Sequence, residues 1–452
     1  MSEKYDLIVI GGGPGGTAAA RKAAQKKKKV LIIEKDGWGG TCAHRGCIPT
    51  KALLFCSRFY ADMKKLQRVG VQATGVTFDF TAMQKHQRQM VRVASLGAHK
   101  SLVDEQVETR QATAEILSAH RVRLVDPNGQ SRIETTHHTL IAWGSQPQIP
   151  PDIRTSGRIL TSDDVPGLTV LPSSLIIVGA SFIGVEYATV FAELGVRVFL
   201  VELLDRILPQ EDEEAADFLR QELTRQGITV LTSVKWTSLR EMPDQVVLNI
   251  KNNNENMEIE ASMALLCTGR KPVLDVCKLN ELGIHYTNAG ISVDERMATS
   301  VPGIYAAGDV TGGMMLAHRA AKQAEAAVEG MFGGEDRYNE RHIPSVVYSH
   351  PQIARVGLTE DHARKEGMEV EIFRSSYGSN IMARTGLAGQ GFAKTIFYRN
   401  TIMGAVIAGD SAAELILPLA LAVSAQLTRR QMRSWVIPHP TLGEILTTHI
   451  ED

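Results

Sequence analysis

The sequence predicts an α/β chain: two strand–glycine turn–helix–strand units in series, followed by a smaller C-terminal α+β domain. Three observations predict it. An alternating, then apolar run at 5–10 breaks at Gly11-Gly-Gly13-Pro14-Gly15-Gly16, and an Ala-rich stretch and a second apolar run follow. The same order returns from residue 175 onward. Beyond residue 341 the pattern changes to short β-like runs around one apolar helix.

Taken in chain order, 5–10 reads as a strand, 17–25 as a helix and 30–33 as the next strand, a βαβ unit. The lysine run 26–29 closes the helix and reads as a solvated last turn favoured by the helix dipole. Residues 80–103 form a helical stretch whose Lys85, His86, Arg88, Arg92 and Lys100 read as a wet face. Proline-rich stretches at 147–151 and 166–172 mark the junction to the second unit, with strand 175–178, glycine turn 179–184, helix 185–194 and strand 196–201. A third glycine signal, Gly303-Ile-Tyr-Ala-Ala-Gly308-Asp309, follows an apolar stretch. The last domain offers β-like runs at 393–398 and 402–407 and an apolar helix at 412–425.

A length of 452 residues suits about three domains. Forty-nine Lys and Arg against 50 Asp and Glu leave a net charge of −1, which argues against nucleic acid as a partner. The longest apolar runs, such as 415–423, fall short of the roughly 20 residues a membrane helix needs. The chain runs from Met1 almost directly into the strand at 5–10, leaving no room for a leader. Its five cysteines, Cys42, Cys47, Cys56, Cys267 and Cys277, are too few and too odd in number for a secreted disulfide framework. A cytoplasmic protein is the expectation. No His or Cys pair near Cys42 and Cys47 has zinc spacing, so no metal is expected.

Gly11-x-Gly13-x-x-Gly16 follows a strand and opens a helix, and Glu34 lies 23 residues after Gly11. The first glycine permits the tight turn, the second lets backbone approach a pyrophosphate, and the third lets helix pack on strand. The helix N-terminus offers N–H groups to phosphates, and the carboxylate can accept from ribose hydroxyls. The second copy is Gly179-Ala-Ser181-Phe182-Ile183-Gly184, with Glu202 again 23 residues on. Ser181 replaces the middle glycine and narrows the approach. Two such units suggest two dinucleotides. Between the first unit and the next helix lies Gly39-Gly40-Thr41-Cys42-Ala-His44-Arg45-Gly-Cys47-Ile-Pro-Thr-Lys51. A thiolate at a helix start beside cations reacts at neutral pH. The pair can form a disulfide, or can be two buried free thiols.

These motifs together resemble the FAD-dependent pyridine nucleotide–disulfide oxidoreductases, the flavoprotein disulfide reductases. The Gly-Gly-Thr-Cys-x4-Cys-Ile-Pro-Ser-Lys signature is present with Thr50 for serine. Ala306-Ala-Gly308-Asp309 is similar to the stretch that sets an aspartate on the flavin ribityl chain. Leu265-Leu-Cys-Thr-Gly269-Arg-Lys-Pro272, Pro344-Ser-Val-Val-Tyr348 with His350-Pro351, and His439-Pro-Thr-Leu-Gly-Glu444 also match. The resemblance covers essentially 5–449, and dihydrolipoamide dehydrogenases are the branch it resembles most.

The resemblance implies a two-part FAD-binding domain at 1–148 and 272–340, an NAD-binding domain at 149–271 and a dimerisation domain at 341–452. It implies FAD contacts at Gly11, Gly13, Pro14, Gly15, Gly16, Glu34, Lys35, Gly40, Thr41, Cys42, Lys51, Ala114, Trp143, Gly144, Ser145, Gly308, Asp309, Met315, Leu316 and Ala317. It implies NAD contacts at Gly179, Ser181, Phe182, Ile183, Gly184, Glu202 and Gly269. Catalysis would run through Cys47 against the flavin, Cys42 exchanging with an external dithiol or disulfide, and His439 held by Glu444 from the partner of a homodimer. Lys51 and Glu186 would form an ion pair near the flavin. A lipoyl-carrying protein is the implied substrate carrier.

Two departures stand out. His44-Arg45 replaces Asn-Val and places potential positive charge beside Cys42. A histidine there resembles soluble pyridine nucleotide transhydrogenases, which lack the second cysteine. Trp143 puts a bulky ring where flavin contacts are expected. The rival readings are a reductase of another disulfide or of a metal ion such as mercuric ion, and a flavin-binding scaffold without catalysis. The chain ends without the vicinal cysteine pair of mercuric reductases, and a scaffold needs none of Cys42, Cys47, His439 and Glu444.

Overall fold

The computed structural model describes residues 4–252 and 255–447. The first unit is built on β1 (Tyr5–Ile10), which is buried because neighbours cover both faces of its sheet. α1 (Pro14–Gln25) follows the glycine turn with proline in its first turn, and β2 (Val30–Glu34) returns parallel to β1. Val9 pairs with Ile32 on one side and with Leu140 of the strand Ser131–Ile141 on the other. Strand Ile304–Ala306 joins the same sheet beside Ser131–Ile141, and helix Ala317–Met331 packs on α1. Small residues make that contact close: Ala19, Ala20 and Ala23 share one core with Ala324 and Ala327.

The lysine run is less solvated than its composition predicts. Lys26 pairs with Glu329 at 2.8 Å, Lys28 lies over Phe332, and Lys29 lies over Tyr5. Helix Ala317–Met331 supplies the carboxylate, which a reading of α1 alone could not reveal.

Next come α2 (Gly40–His44), α3 (Cys47–Met63) and α4 (Phe80–Asp104). Asp79 caps α4 by accepting from the Ala82 N–H. Of its expected wet face, Lys85, Arg88, Arg92 and Lys100 are exposed and His86 is half-buried. Gln84 and Gln87 are buried, and Gln87 donates to the Pro49 carbonyl of α3.

The second unit repeats the first. Strand Ser174–Val178 lies parallel between Arg197–Val201 and Met263–Leu266, and Ile176 pairs with Phe199 and Ala264. α5 (Phe182–Glu193) crosses the sheet with almost every residue covered. In both units the last glycine of the turn has no room for a side chain. A Cβ on Gly16 would lie 1.8 Å from the Gly11 oxygen, and one on Gly184 would lie 1.9 Å from the Gly179 oxygen. A three-stranded antiparallel sheet over 235–261 completes this part.

The C-terminal part is an antiparallel sheet in the order Ser345–Val347, Gln352–Gly357, Thr401–Gly409, Phe392–Tyr398, Glu371–Ser376, with helix Ala412–Ser424 packed on it. One apolar cluster joins the parts: Leu53 and Leu54 of α3, Val185 and Ala188 of α5, and Val347, Ile353 and Val406 of the C-terminal sheet. Among the described residues no helix is long and apolar enough to cross a membrane. The terminal residues 448–452, where the sequence carries no cysteine pair, lie outside the described residues.

Candidate active site

The two cysteines stand on different helices. Cys42 lies in the single turn of α2, and Cys47 is the first residue of α3. The chain leaves helical geometry at Arg45 and Gly46, so the sulfurs face each other across the break instead of lying along one helix. Both are free thiols, half-buried, and hydrogen-bonded to one another. Their acidities split. The Cys42 contact, with help from Lys51, brings Cys47 down to about 7 against the opposing effect of burial. The same contact and burial push Cys42 above the ordinary thiol range. Cys47 is thus the sulfur that ionises first, and Cys42 the one that keeps its proton.

Lys51 lies one helical turn beyond Cys47 and donates to both Glu186 oxygens, at 3.0 and 2.8 Å. Burial alone would lower its pKa, but Glu186 prevails and raises it. The Tyr348 backbone N–H also donates to Glu186, and the Lys51 ammonium sits 4.6 Å from the Tyr348 ring centre. This ion pair ties α3, α5 and the start of the C-terminal sheet.

The two glycine turns present uncapped helix ends. Gly13 and Ser181 stand at the N-caps of α1 and α5, and neither α-helix has a side-chain cap. A Cβ on Gly13 would meet only the Gly40 Cα, at 4.0 Å, so a cradle one side chain deep lies before the first-turn N–H groups of Gly15 and Gly16, Pro14 having none. Glu34 accepts from the Gly12 N–H, and Glu202 accepts from the Ala180 N–H. These features fit the phosphate and ribose ends of dinucleotides. Thr41 continues α2 beside Gly40, Lys35 is exposed just past β2, and Ala114 is on the strand Thr113–Ser118. Phe182, Ile183 and Gly184 form the first turn of α5, and Gly269 takes positive φ beyond the strand Met263–Leu266.

Asp309 follows Gly308 and accepts from the Ser145 hydroxyl at 2.6 Å. Ser145 in turn receives the Arg270 guanidinium, which pairs with Asp163. Met315, Leu316 and Ala317 lead into helix Ala317–Met331. Trp143 precedes Gly144 (φ +74°), is half-buried and packs against the apolar core of the first unit.

His44 and Arg45 do not charge the thiol site as their sequence position suggests. The His44 ring bonds the Trp38 carbonyl at 3.1 Å, and Arg45 pairs with Asp36. Both turn back to brace the loop after β2.

His439 Nδ1 bonds the Glu444 carboxylate at 2.7 Å, and the Thr441 N–H donates to its other oxygen. That contact, then the Thr441 bond, hold Glu444 below the usual carboxylate range. The His439 side chain is 75% exposed. Among the described residues no hydrogen bond or ion pair joins His439 or Glu444 to Cys42 or Cys47 within the chain.

Sequence reasoning missed Tyr187, Tyr348, Arg270 and Asp163. Tyr348 and Arg270 lie in stretches that carried the resemblance, and Tyr187 offered a polar-tipped ring beside Glu186 in a mostly apolar helix.

Residues 5–324 match the family model for pyridine nucleotide-disulphide oxidoreductases, and residues 343–450 match the model for their dimerisation domain. The chain is 35% identical to a dihydrolipoyl dehydrogenase of Geobacillus stearothermophilus, over 92% of this chain and 88% of the relative. It is 34% identical to one of Chlamydia pneumoniae, over 98% and 96%. The crystal structure of LpdA from Mycobacterium tuberculosis superposes with a TM-score of 0.93 at 26% identity, covering 98% of both chains. The chain therefore belongs to the pyridine nucleotide-disulphide oxidoreductase family and is an enzyme of the flavoprotein disulfide reductase kind.

Proposed function

We propose that the enzyme moves an electron pair between NAD(H) and a dithiol or disulfide, with dihydrolipoamide on a lipoyl carrier protein as the substrate. The observation that carries this reading is the hydrogen-bonded Cys42–Cys47 pair with divided acidity. On this reading 1–148 and 272–340 hold FAD, 149–271 hold NAD(H), and 341–452 make a homodimer. The five free cysteines suit a cytoplasmic setting.

The glycine turn at Gly11–Gly16, Glu34 and Asp309 orient FAD, and the turn at Gly179–Gly184 with Glu202 orients NAD(H). Held there, FAD would supply the acceptor for the cysteines' electron pair, and NAD(H) would supply the hydride carrier. The chain's own residues do the thiol chemistry. The partner subunit's His439 accepts a proton from one substrate thiol, steadied by the partner subunit's Glu444. In the oxidised enzyme, where Cys42 and Cys47 would be joined as a disulfide, the substrate thiolate attacks Cys42 Sγ, the Cys42–Cys47 bond breaks, and Cys47 leaves as the thiolate that Lys51 favours. The second substrate thiol then displaces Cys42, which leaves as a thiol, and the substrate departs as its disulfide.

Anaerobic reductive titration tests the relay. Four electrons per flavin, with a long-wavelength thiolate band at the two-electron stage, are expected, and a plain two-electron flavin titration would overturn it. Turnover with lipoamide against glutathione, coenzyme A and thioredoxin disulfides tests the substrate. A stronger kcat/KM with any of the other three would replace it.

A further inference from the structure

Tyr187 is 1% exposed and sits on α5 next to Glu186. A phenol buried in an apolar helix is costly unless its hydroxyl is paired. Its partner is the Thr50 hydroxyl, 3.1 Å away. Thr50 spends its single hydroxyl proton on the Gly46 carbonyl at 2.8 Å, so Tyr187 is the donor and Thr50 the acceptor at their contact. Burial pushes the Tyr187 pKa up, outweighing the opposing effect of the Thr50 contact, and keeps that proton in place. The Gly46 carbonyl also accepts the Thr50 backbone N–H at 3.1 Å. The other end of the same peptide unit is the Cys47 N–H, the first of α3, whose dipole beside its own sulfur favours the thiolate. A line of hydrogen bonds thus runs from the Tyr187 hydroxyl through Thr50 to the peptide unit that carries the Cys47 N–H.

We propose that Tyr187 is a positioning residue for the Cys47 sulfur, acting through Thr50 and the Gly46–Cys47 peptide. Two effects follow from the geometry. Donation into the carbonyl polarises the peptide and makes the Cys47 N–H a stronger donor. The same bonds fix the plane of that peptide, and with it the direction of the N–H next to the sulfur. The contact is also paired in register with another: Thr50 and Lys51 of α3 face Tyr187 and Glu186 of α5. Lys51 acts on the thiolate by charge, and Tyr187 acts by orienting a dipole. This inference rests on the thiol relay proposed above.

The test uses the holoenzyme with Tyr187→Phe, Thr50→Val, Thr50→Ser and the Tyr187→Phe/Thr50→Val pair. The readout is the pH midpoint of the long-wavelength thiolate band in two-electron-reduced enzyme, with Tm measured in parallel. Tyr187→Phe should move the midpoint up by about half a pH unit, a roughly threefold drop in the ionisation constant. Thr50→Val should move it at least as far, the double variant no further than Thr50→Val, and Thr50→Ser should keep the parent midpoint. A lowered Tm with an unmoved midpoint would reduce Tyr187 to packing, and additive shifts would break the line between the two residues. If Tyr187→Phe loses flavin, Thr50→Val against Thr50→Ser decides, because both keep Tyr187. A parent enzyme with no thiolate band would overturn the relay instead. The ultraviolet absorbance of the Cys47 thiolate, read in a Cys42→Ser background, would still report the same midpoint and judge Tyr187 separately.

Discussion

Glu34 and Glu202 hold the same posture in the two halves of the enzyme. Each accepts the N–H of the second residue of its glycine turn, from Gly12 at 2.6 Å and from Ala180 at 2.7 Å. Each also accepts the N–H two residues further on, from Asp36 at 2.8 Å and from Leu204 at 2.9 Å. Both carboxylates are therefore aimed before any ligand arrives, with a lone pair on each oxygen still free for ribose hydroxyls.

For the second unit this predicts NAD(H) over NADP(H). A 2′-phosphate would meet the Glu202 charge, at a cost on the order of 1–4 kcal/mol at surface-like dielectric. Arg206 does not relieve it, being held by the Pro209 carbonyl at 3.2 Å and by Glu213 at 3.4 Å. The kcat/KM for NAD(H) should exceed that for NADP(H) by about tenfold or more, and Glu202→Ala should shrink the ratio. Equal values in the parent enzyme would show that Glu202 does not read the ribose.

The Cys47 thiol, brought down to about 7 from its ordinary value of 9.0, predicts the pH behaviour of the reduced enzyme. The thiolate band should be full at pH 8 and fade with a midpoint near 7 as pH falls. The same shift has a sign in stability. Between about 7 and 9 the unfolded thiol keeps its proton while the folded one has lost it, so reduced protein should gain stability as pH rises through that window. Urea unfolding of the Cys47→Ser variant should lack this gain.

Lys51→Met should cost about 1–3 kcal/mol of stability. It leaves Glu186, whose side chain is 5% exposed, with the Tyr348 N–H but without its counter-charge. The Cys47 midpoint should rise in the same variant because the nearest favourable charge is gone. Stability lost with no change in midpoint would separate the ion pair from the thiol.

Mixed assemblies test whether the site is shared. His439 is turned out to solvent and far from the cysteines in hydrogen-bonded terms, so each chain should lend it to the other. Combining Cys47→Ser chains with His439→Ala chains should restore one working site per mixed dimer although both parents are nearly inactive. Failure to recover activity after subunit exchange would count against a shared site.

Much of this architecture is legible in the chain because its signals are local. The strand, glycine turn and helix around Gly11–Gly16 lie within one stretch, and so do the cysteines and Lys51. The unread parts depend on partners remote in sequence. His44 and Arg45 look like charges beside Cys42 until the chain folds back onto Trp38 and Asp36. Trp143 rests partly on a core assembled from distant strands. The Thr50–Tyr187 contact spans two helices from different units, and no periodicity within either helix encodes it.

The apolar cluster that holds Leu53 of α3, Val185 of α5 and Val406 of the C-terminal sheet has a consequence for how the molecule comes apart. Its amides should exchange with solvent deuterium as one cooperative block, since opening any contributor exposes the others. The first glycine turn and the His439 segment lie outside that cluster and can breathe independently, whereas the second turn is tied into it through Ala180. Ligand exchange at the first turn and subunit contact can therefore proceed through local openings while the helix that carries Cys47 stays protected until global unfolding.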